Sequence, residues 1–397
     1  MFLSDRTFDA ATLAATDVLR ILSDGQPRTR VELAELLGVA RATIALRVDP
    51  LISRGLVTSQ ADGTSTGGRR ASRMLLNSGS RVIIAADIGS THGRIAITDL
   101  AGKVLATDGA PFNISEGPET VLQQVVDIAR GLLRSLGRHD EEVAAIGMGL
   151  PGPVDNVTGR PANPPKMPGW NDFDVTGWFR TIFDVPVAVD NDVNIMAIGE
   201  RSAMWPEVQH FLLIKVSTGV GAGIISDGIL QRGDRSIAGQ IGHIPVGRGA
   251  GVRCHCGNYA CVTAIASGPA VAQHLRNQGI DVQDSRAIAA LVENGDVRAI
   301  EAVRQAGRDL GEVLVAAIAF INPSVIAVGG SLAQAGEHLL AGIREVVYTR
   351  AMPLATENLS IVQSKMAGDA GVVGASMMAI EKLFSPEGVS TLMARAA

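Results

Sequence analysis

The first eighty residues show apolar positions at helical spacing, interrupted by turn signals. Residues 11–22 place leucine, valine and isoleucine side chains on one face of a helix, and residues 24–27, Asp-Gly-Gln-Pro, end it. Thr29 and Glu32 then have the spacing of a capping box, and Gly38 supplies the tight turn between two further helices. The pattern therefore predicts a helix-turn-helix unit.

Residues on and after the second helix of this pair are suited to contacts with DNA. Arg41, Thr43 and Arg47 are predicted to face outward, toward base edges and phosphates of a major groove. Two short strands would follow, and Arg69 and Arg70 near the tip between them form a wing suited to the minor groove or the phosphate backbone. The alternative is a small helical interaction domain with surface arginines.

From residue 81 the pattern changes to strand, tight turn, strand, turn, strand. Asp87 ends the first strand, beside Gly89 and Thr91. An aspartate there can hold a magnesium ion or water, and glycine lets backbone N–H groups approach a phosphate. A second glycine-rich loop at residues 218–223 is suited to β- and γ-phosphates, although a glycine hairpin without a ligand would look similar.

Length and charge distribution refine this division. The 397 residues allow two or three domains, and 46% hydrophobic residues with 45 glycines indicate an α/β protein. The net charge is −5, but residues 1–80 carry ten arginines against eight acidic residues, which leaves −7 for the remainder. A mildly basic head on an acidic body is compatible with a DNA-binding module.

The chain shows no signal for a membrane or for export. It has no run of about 18 apolar residues, and its first residues lack the basic start and apolar core of a signal peptide. We therefore expect a cytoplasmic protein with no membrane partner, whose thiols stay reduced and available to a metal.

All three cysteines lie within eight positions, as Cys254, Cys256 and Cys261, and His243 lies eleven residues upstream. Three thiolates and one imidazole form a complete tetrahedral set for a structural Zn²⁺, with no open position for water. Buried thiols or a disulfide are the alternatives, although an odd count leaves one cysteine unpaired. His255 could replace His243, but the short Cys-x-Cys link leaves it little freedom to reach the same ion.

The order of these motifs resembles that of the ROK family of repressors and sugar kinases. The resemblance implies a two-lobed actin-like ATPase (ribonuclease-H-like) fold after an N-terminal winged helix-turn-helix. The expected parts are a DNA-binding domain at 1–80, a small lobe at 81–190 that also takes the helix near 371–385, and a large lobe with the zinc site at 191–370. The resemblance is carried by residues 87–93, 146–155, 189–200, 217–225, 239–261 and 327–331.

The resemblance also implies roles for single residues. Asp192 corresponds to the general base that takes a proton from the sugar hydroxyl in the family's kinases, and would be catalytic only if kinase activity is retained. His243 would ligate zinc through one nitrogen and contact sugar through the other. The implied sugar-binding residues are Asn163, Asn191, Asp192, Gln240, His243 and Thr263; the implied nucleotide or phosphate contacts are Asp87, Gly89, Thr91, Thr218, Gly219, Gly221, Gly329 and Gly330.

Several positions depart from the family's kinases. Gln240 and Thr263 stand where those enzymes carry glutamate, Ala260 stands where glycine is usual, and the first phosphate loop carries Ser90 and the bulky His92. An amide or a short hydroxyl accepts hydrogen bonds from sugar hydroxyls more weakly than a carboxylate. These departures argue against efficient phosphorylation of an ordinary hexose.

The sequence and the resemblance thus predict a sugar-responsive transcriptional regulator that acts as a repressor. We expect a homodimer or homotetramer that binds an inverted-repeat DNA operator and takes a sugar or sugar phosphate as effector. The first alternative is an ATP- and Mg²⁺-dependent sugar kinase with an accessory DNA-binding head. The second is a regulator whose body binds another protein in place of sugar.

Overall fold

The N-terminal part of the chain forms three helices and a small antiparallel sheet. The structure, a computed structural model, describes residues 8–61, 72–164, 167–366 and 368–395. The sheet has the order β1-β3-β2. Strands β2 and β3 pair in antiparallel fashion, and β1 pairs with the other edge of β3. The elements are α1 Ala10–Leu22, β1 Arg28–Thr29, α2 Arg30–Leu37, α3 Arg41–Ser53, β2 Val57–Ala61 and β3 Ser72–Leu76.

Local sequence signals set the helix boundaries in this region. The side chain of Thr29 accepts a hydrogen bond from the Glu32 amide at 3.2 Å, and Glu32 accepts one from the Thr29 amide at 2.6 Å. Gly38 ends α2 in the left-handed region, with φ of 63°. The predicted capping box and turn are confirmed, and α3 continues through Pro50.

The first lobe of the body is a five-stranded sheet in the order β10-β7-β4-β5-β6. Strands β10, β7 and β4 are parallel, whereas β4, β5 and β6 form an antiparallel meander. Strand β7 is buried along its whole length, as expected for a central strand covered on both faces. The elements are β4 Val82–Ile88, β5 His92–Asp99, β6 Val104–Pro111, α4 Pro118–Ser135, β7 Val143–Leu150, β8 Val154–Asp155, β9 Arg160–Pro161, α5 Val175–Phe183 and β10 Val187–Asn191.

The second lobe repeats this plan around a sheet in the order β13-β12-β11-β14-β15. Its strands β11, β14 and β15 are parallel, and long helices cover it with a continuous apolar core. The elements are α6 Asp192–Met204, β11 Phe211–Val216, β12 Val220–Ser226, β13 Ile229–Leu230, α7 Thr263–Ala266, α8 Gly268–Asn277, α9 Ser285–Glu293, α10 Val297–Ile321, β14 Val325–Gly329, α11 Glu337–Arg350, α12 Pro353–Thr356 and β15 Ser360–Gln363. Two further helices, α13 Ala370–Leu383 and α14 Pro386–Arg395, pack against the first sheet and the N-terminal part.

Helices α6 and α13 cross between the two sheets at unusually short range. A Cβ atom on Gly199 would collide with the carbonyl oxygen of Ala370, and one on Gly374 would collide with that of Ile195. Glycine is needed at these points because any side chain would force the two helix backbones apart. The crossing joins the lobes at the base of the cleft.

The last helix, α14, joins the body to the N-terminal part. Residues from the end of α13 through α14, including Phe384, Val389 and Leu392, belong to the same buried apolar cluster as residues of α1 and α3. Arg20 of α1 donates from Nε to the carbonyl oxygen of Phe384 at 2.8 Å, and Arg54 donates to that of Met393 at 3.1 Å. Within the described residues, no helix combines the length and apolar character needed to cross a bilayer.

Candidate metal centre and ligand cleft

The three cysteines and His243 come together in the loops between β13 and α7. The Sγ atoms of Cys256 and Cys261 lie 3.7 Å apart, and His243 Nδ1 lies 3.7 Å from Cys254 Sγ. All four ligand atoms lie within 4.8 Å of one another. Ligands about 2.3 Å from a tetrahedral zinc ion would be about 3.8 Å apart, so this group, here called the cysteine cluster, could hold a metal ion.

The distances between the ligand atoms also test the alternatives to a zinc site with His243, namely a disulfide and ligation by His255. A disulfide requires sulfur atoms about 2.05 Å apart, and the three cysteines are free thiols. The four-residue group found among the described residues contains His243, not His255. Burial lowers the pKa of His243, which favours the neutral imidazole that a metal requires, whereas burial raises the pKa of the Cys261 thiol to about 12.

Close backbone packing and one ion pair position the loops of the cluster. A Cβ on Gly239 or Gly242 would meet the carbonyl oxygens of β12, so glycine lets this segment lie against the strand. Arg248 donates to both carboxylate oxygens of Asp309, a nearly buried residue of α10. The loop that leads to the cysteines is therefore anchored to the long helix of the second lobe.

Two carboxyl groups and one lysine meet where the lobes face each other. Asp192 is the first residue of α6, and its Oδ2 accepts from Lys215 Nζ at 2.7 Å. Asp87 at the end of β4 is the second carboxyl group, and its Oδ1 is buried with no hydrogen-bond partner among the described residues. Burial raises the pKa of Asp87 to about 6, although the Lys215 charge opposes the shift. Asp87 and Asp192 are called the acidic pair below.

The first predicted phosphate loop follows β4 of the first lobe, and the second follows β11 of the second lobe. Gly89 closes the first turn by donating its amide to His92 O at 2.8 Å, and Thr91 Oγ1 lies 2.9 Å from His92 Nδ1. Thr218, on the hairpin between β11 and β12, is exposed. Gly330 lies against that hairpin, because a Cβ there would collide with the carbonyl oxygen of Val216.

The predicted sugar residues are distributed over both lobes. Asn191 caps α6 and donates from Nδ2 to Gly152 O at 2.7 Å, which fixes it next to Asp192. Thr263 Oγ1 accepts from the Val220 amide at 3.1 Å, so this hydroxyl is tied to the phosphate hairpin.

Gln240 and Asn163 are two further predicted sugar residues. Gln240 precedes the short helical turn that carries His243 and is half-buried. Asn163 is exposed on a loop, where its backbone N–H donates to Asn171 Oδ1 at 2.8 Å.

Sequence reasoning missed two charged residues of this cleft, Lys215 and Asp190. Asp190 is fully buried at the end of β10 and accepts from Arg232 Nε and Asn194 Nδ2, each at 2.7 Å. Arg232 follows β13, so this ion pair joins the lobes. A lysine within the apolar strand sequence Phe-Leu-Leu-Ile-Lys-Val was the available signal for Lys215, because a buried ammonium needs partners.

The predicted DNA-contacting residues differ in their exposure. Arg41 is exposed at the start of α3 and Thr43 is half-buried. Arg47 does not face outward as predicted: its side chain is 20% exposed and lies 3.5 Å from Asp17 of α1. Leu46, not considered from sequence, is 77% exposed on α3. Arg69 and Arg70 lie outside the described residues.

The chain is similar in sequence to known proteins over most of its length. A family model described as ROK family matches residues 83–382. The xylose repressor of Caldicellulosiruptor bescii is 28% identical over 383 residues, which cover 93% of this chain and 95% of that protein. The DNA-binding transcriptional dual regulator NagC of Escherichia coli is 30% identical over 364 residues, 89% of each chain.

A solved structure matches nearly the whole chain. The crystal structure of a ROK family transcriptional regulator, a homolog of the E. coli MLC protein, has a TM-score of 0.81 at 24% sequence identity. The match covers 97% of this chain and 99% of the other. The likeness therefore extends over the N-terminal helices as well as both lobes of the body.

Proposed function

The chain belongs to the ROK family, and from that premise we propose that it is a sugar-responsive transcriptional repressor. The observation that carries the proposal is that a xylose repressor and the regulator NagC match along 93% and 89% of this chain, including the N-terminal part. The helix-turn-helix geometry of α2 and α3 and the exposed Arg41 support a DNA contact at that end.

DNA recognition would use the exposed face of α3. Arg41 can donate to a guanine edge or a phosphate, and the exposed Leu46 offers an apolar contact for a thymine methyl group. Arg47, close to Asp17, would position α3 against α1 unless it turns toward a phosphate. A homodimer or homotetramer with two-fold symmetry would read an inverted repeat, with half-sites about one helical turn apart or a multiple of that.

The effector would bind in the cleft between the lobes. Asn191 and Asp192 stand at the N-terminus of α6, while Gln240, His243 and Thr263 approach from the other lobe. Amide, imidazole and hydroxyl groups suit the hydroxyls of a sugar or sugar phosphate. A structural Zn²⁺ held by His243 and the three cysteines would fix the imidazole's orientation, so that the metal shapes the sugar side of the cleft.

Helix α13 offers a physical route from the cleft to the DNA-binding part. Its N-terminal turn touches Asp87, since a Cβ on Gly371 would collide with that carboxylate. Its C-terminal end and α14 share an apolar core with α1 and α3, and Arg20 is bonded to Phe384. A sugar that binds one state of lobe closure more tightly would shift α13 and the spacing of two heads; couplings of this kind are typically about 1–3 kcal/mol.

A DNA-retardation assay with sugars tests the proposal. DNA fragments selected by the purified protein are titrated with the unaltered chain, Arg41→Ala and Arg235→Ala, the last being an exposed arginine of the body that serves as charge control. Arg41→Ala is expected to weaken DNA binding by about 1–3 kcal/mol, and the control to leave it unchanged. A panel of sugars that includes xylose should release the DNA with at least one member.

Two outcomes would count against the proposal. Equal affinity of all three proteins for the selected DNA would remove the assigned reading helix. Phosphate transfer from ATP to a sugar, abolished by Asp192→Asn, would instead support the kinase alternative.

A further inference from the structure

Lys215 occupies an unusual position for a charged residue. It lies on β11, the central strand of the second sheet, and the other five residues of that strand are buried. Its cross-strand partners are Gly221 on β12 and Gly329 on β14. A Cβ on Gly221 would contact Val193 of α6, and one on Gly329 would contact Met196 of α6, so both neighbouring strands lie close to the helix that begins at Asp192.

The ammonium group reaches the acidic pair. Lys215 Nζ lies 2.7 Å from Asp192 Oδ2, and both side chains are largely buried. Burial lowers the pKa of Lys215, but the charges of Asp192 and Asp87 outweigh it, so the pKa is raised and the group stays protonated. An ammonium has three donors, which leaves hydrogen atoms beyond the one given to Asp192.

We propose that Lys215 takes the place of a divalent cation between Asp87 and Asp192, so that the cleft binds its ligand without Mg²⁺ and does not accept a Mg²⁺-bound nucleotide. The residues thus do not fit the Mg²⁺·ATP pair that a sugar-kinase body implies. The inference concerns the chemistry of the cleft alone and stands whether or not the N-terminal part binds DNA.

A hard divalent cation would need the oxygen atoms that the ammonium already uses. Mg²⁺ and Mn²⁺ are held by carboxylates and waters in octahedral geometry, and Asp192 Oδ2 is committed to Lys215. A second cation a few ångströms from a protonated lysine would also be repelled in a site shielded from water.

The two carboxyl groups belong to different lobes, which gives the lysine a further role. Asp87 ends β4 of the first sheet, whereas Lys215 belongs to the second sheet and Asp192 begins α6. Closing the cleft on a sugar would bring the remaining ammonium donors toward the unpartnered Asp87 Oδ1. A lysine can form such an inter-lobe contact with no ion from solution.

Manganese binding to the zinc-loaded full chain tests the inference. The unaltered protein, Lys215→Met, Lys215→Met/Asp87→Asn and the exposed-lysine control Lys103→Met are titrated with Mn²⁺ near pH 7.5, and free Mn²⁺ is measured by electron paramagnetic resonance. Lys215→Met should bind Mn²⁺ at least about tenfold more tightly than the unaltered chain, because a repelling charge is gone and Asp192 loses its ion-pair partner. The double variant and the control should not gain.

Two results would overturn the inference. One is a folded, zinc-loaded Lys215→Met protein with no gain in Mn²⁺ affinity. The second result comes from an experiment that needs no lysine variant. In it, the thermal midpoint of the unaltered chain is measured in the presence of ATP, with and without Mg²⁺. We expect no Mg²⁺-dependent shift, and a rise in the midpoint that Asp87→Asn removes would show that the acidic pair accepts the metal-bound nucleotide.

Discussion

The cysteine cluster and the acidic pair both gather groups that bear or develop negative charge, but they are arranged differently. The four ligand atoms of His243, Cys254, Cys256 and Cys261 lie within 4.8 Å of one another, at the spacing of a tetrahedral metal site. Asp192 instead holds the Lys215 ammonium at 2.7 Å.

The proposed difference would let one chain keep a structural metal and dispense with a catalytic one. Soft thiolates bind Zn²⁺ tightly in a closed site, whereas carboxylates bind Mg²⁺ weakly and depend on waters and ligand phosphates. A single lysine next to the carboxylates would therefore be enough to compete with Mg²⁺. No single side chain could in the same way replace an ion bound by an imidazole and three thiolates.

The largest effect is expected from breaking the cysteine cluster. Cys261→Ser should reduce zinc from about one ion per chain to almost none, and the loops that carry Gln240 and Thr263 should lose order with it. Atomic emission measures the metal, and hydrogen exchange measures the loops. His255→Ala is the matched control and should retain zinc; loss of zinc in that variant and retention in His243→Ala would reverse the ligand assignment.

A smaller effect is expected from breaking the ion pair between Arg248 and Asp309, which anchors the loop that leads to the cysteines. Among the described residues, Arg248→Ala would leave the nearly buried Asp309 with Gln305 as its remaining side-chain donor, and should lower the free energy of unfolding by about 2–4 kcal/mol with zinc retained. Urea unfolding measures the change. Arg253→Ala, an exposed arginine of the same loop, serves as control, and equal stabilities of the two variants would contradict the anchoring role.

The smallest effect is expected at Asp87 of the acidic pair, where a substitution should raise the free energy of unfolding instead of lowering it. The folded-state pKa of Asp87 is raised from 3.8 to about 6 by burial, so the folded chain holds this proton more tightly than the unfolded chain. Its contribution to stability is present below about pH 4 and is lost as the pH rises to about 6. Asp87→Asn should thus be neutral near pH 4 and stabilising by about 1–3 kcal/mol at pH 7.

Urea titrations at several pH values measure this prediction. Asp87 faces Lys215, Asp192 and its cross-strand partner Arg94, so all three must remain unchanged in the comparison. A loss of stability at pH 7 in Asp87→Asn would mean that the charge pair with Lys215 outweighs the cost of burial.

The sequence predicted the parts of the fold that depend on local signals. The capping box of Thr29 and Glu32 and the left-handed Gly38 set α2 through contacts three or four residues apart, and the structure confirms both. The α/β class and the family resemblance were confirmed as well, because the motifs that carry them are glycine-rich turns and strand ends. The roles of single residues in binding remain predictions.

Long-range contacts account for what the sequence did not reveal. Arg47 was placed outward from helical spacing, but Asp17 lies thirty residues away and the periodicity of α3 contains no information about it. The sequence analysis predicts no helix for residues 386–395, whose buried Val389 and Leu392 pack in the same apolar cluster as α1 and α3 at the other end of the chain. Lys215 was overlooked since its partners come from β4 and α6.

Helix α14 has a consequence for how the chain matures on the ribosome. Helices α1 and α3 are synthesised well before Phe384, Val389 and Leu392, which supply part of the surface against which these helices pack. A nascent chain therefore carries its helix-turn-helix without this support until the second lobe has been made. Products of premature termination would lack it permanently, which would limit competition between fragments and finished repressor for the same promoter.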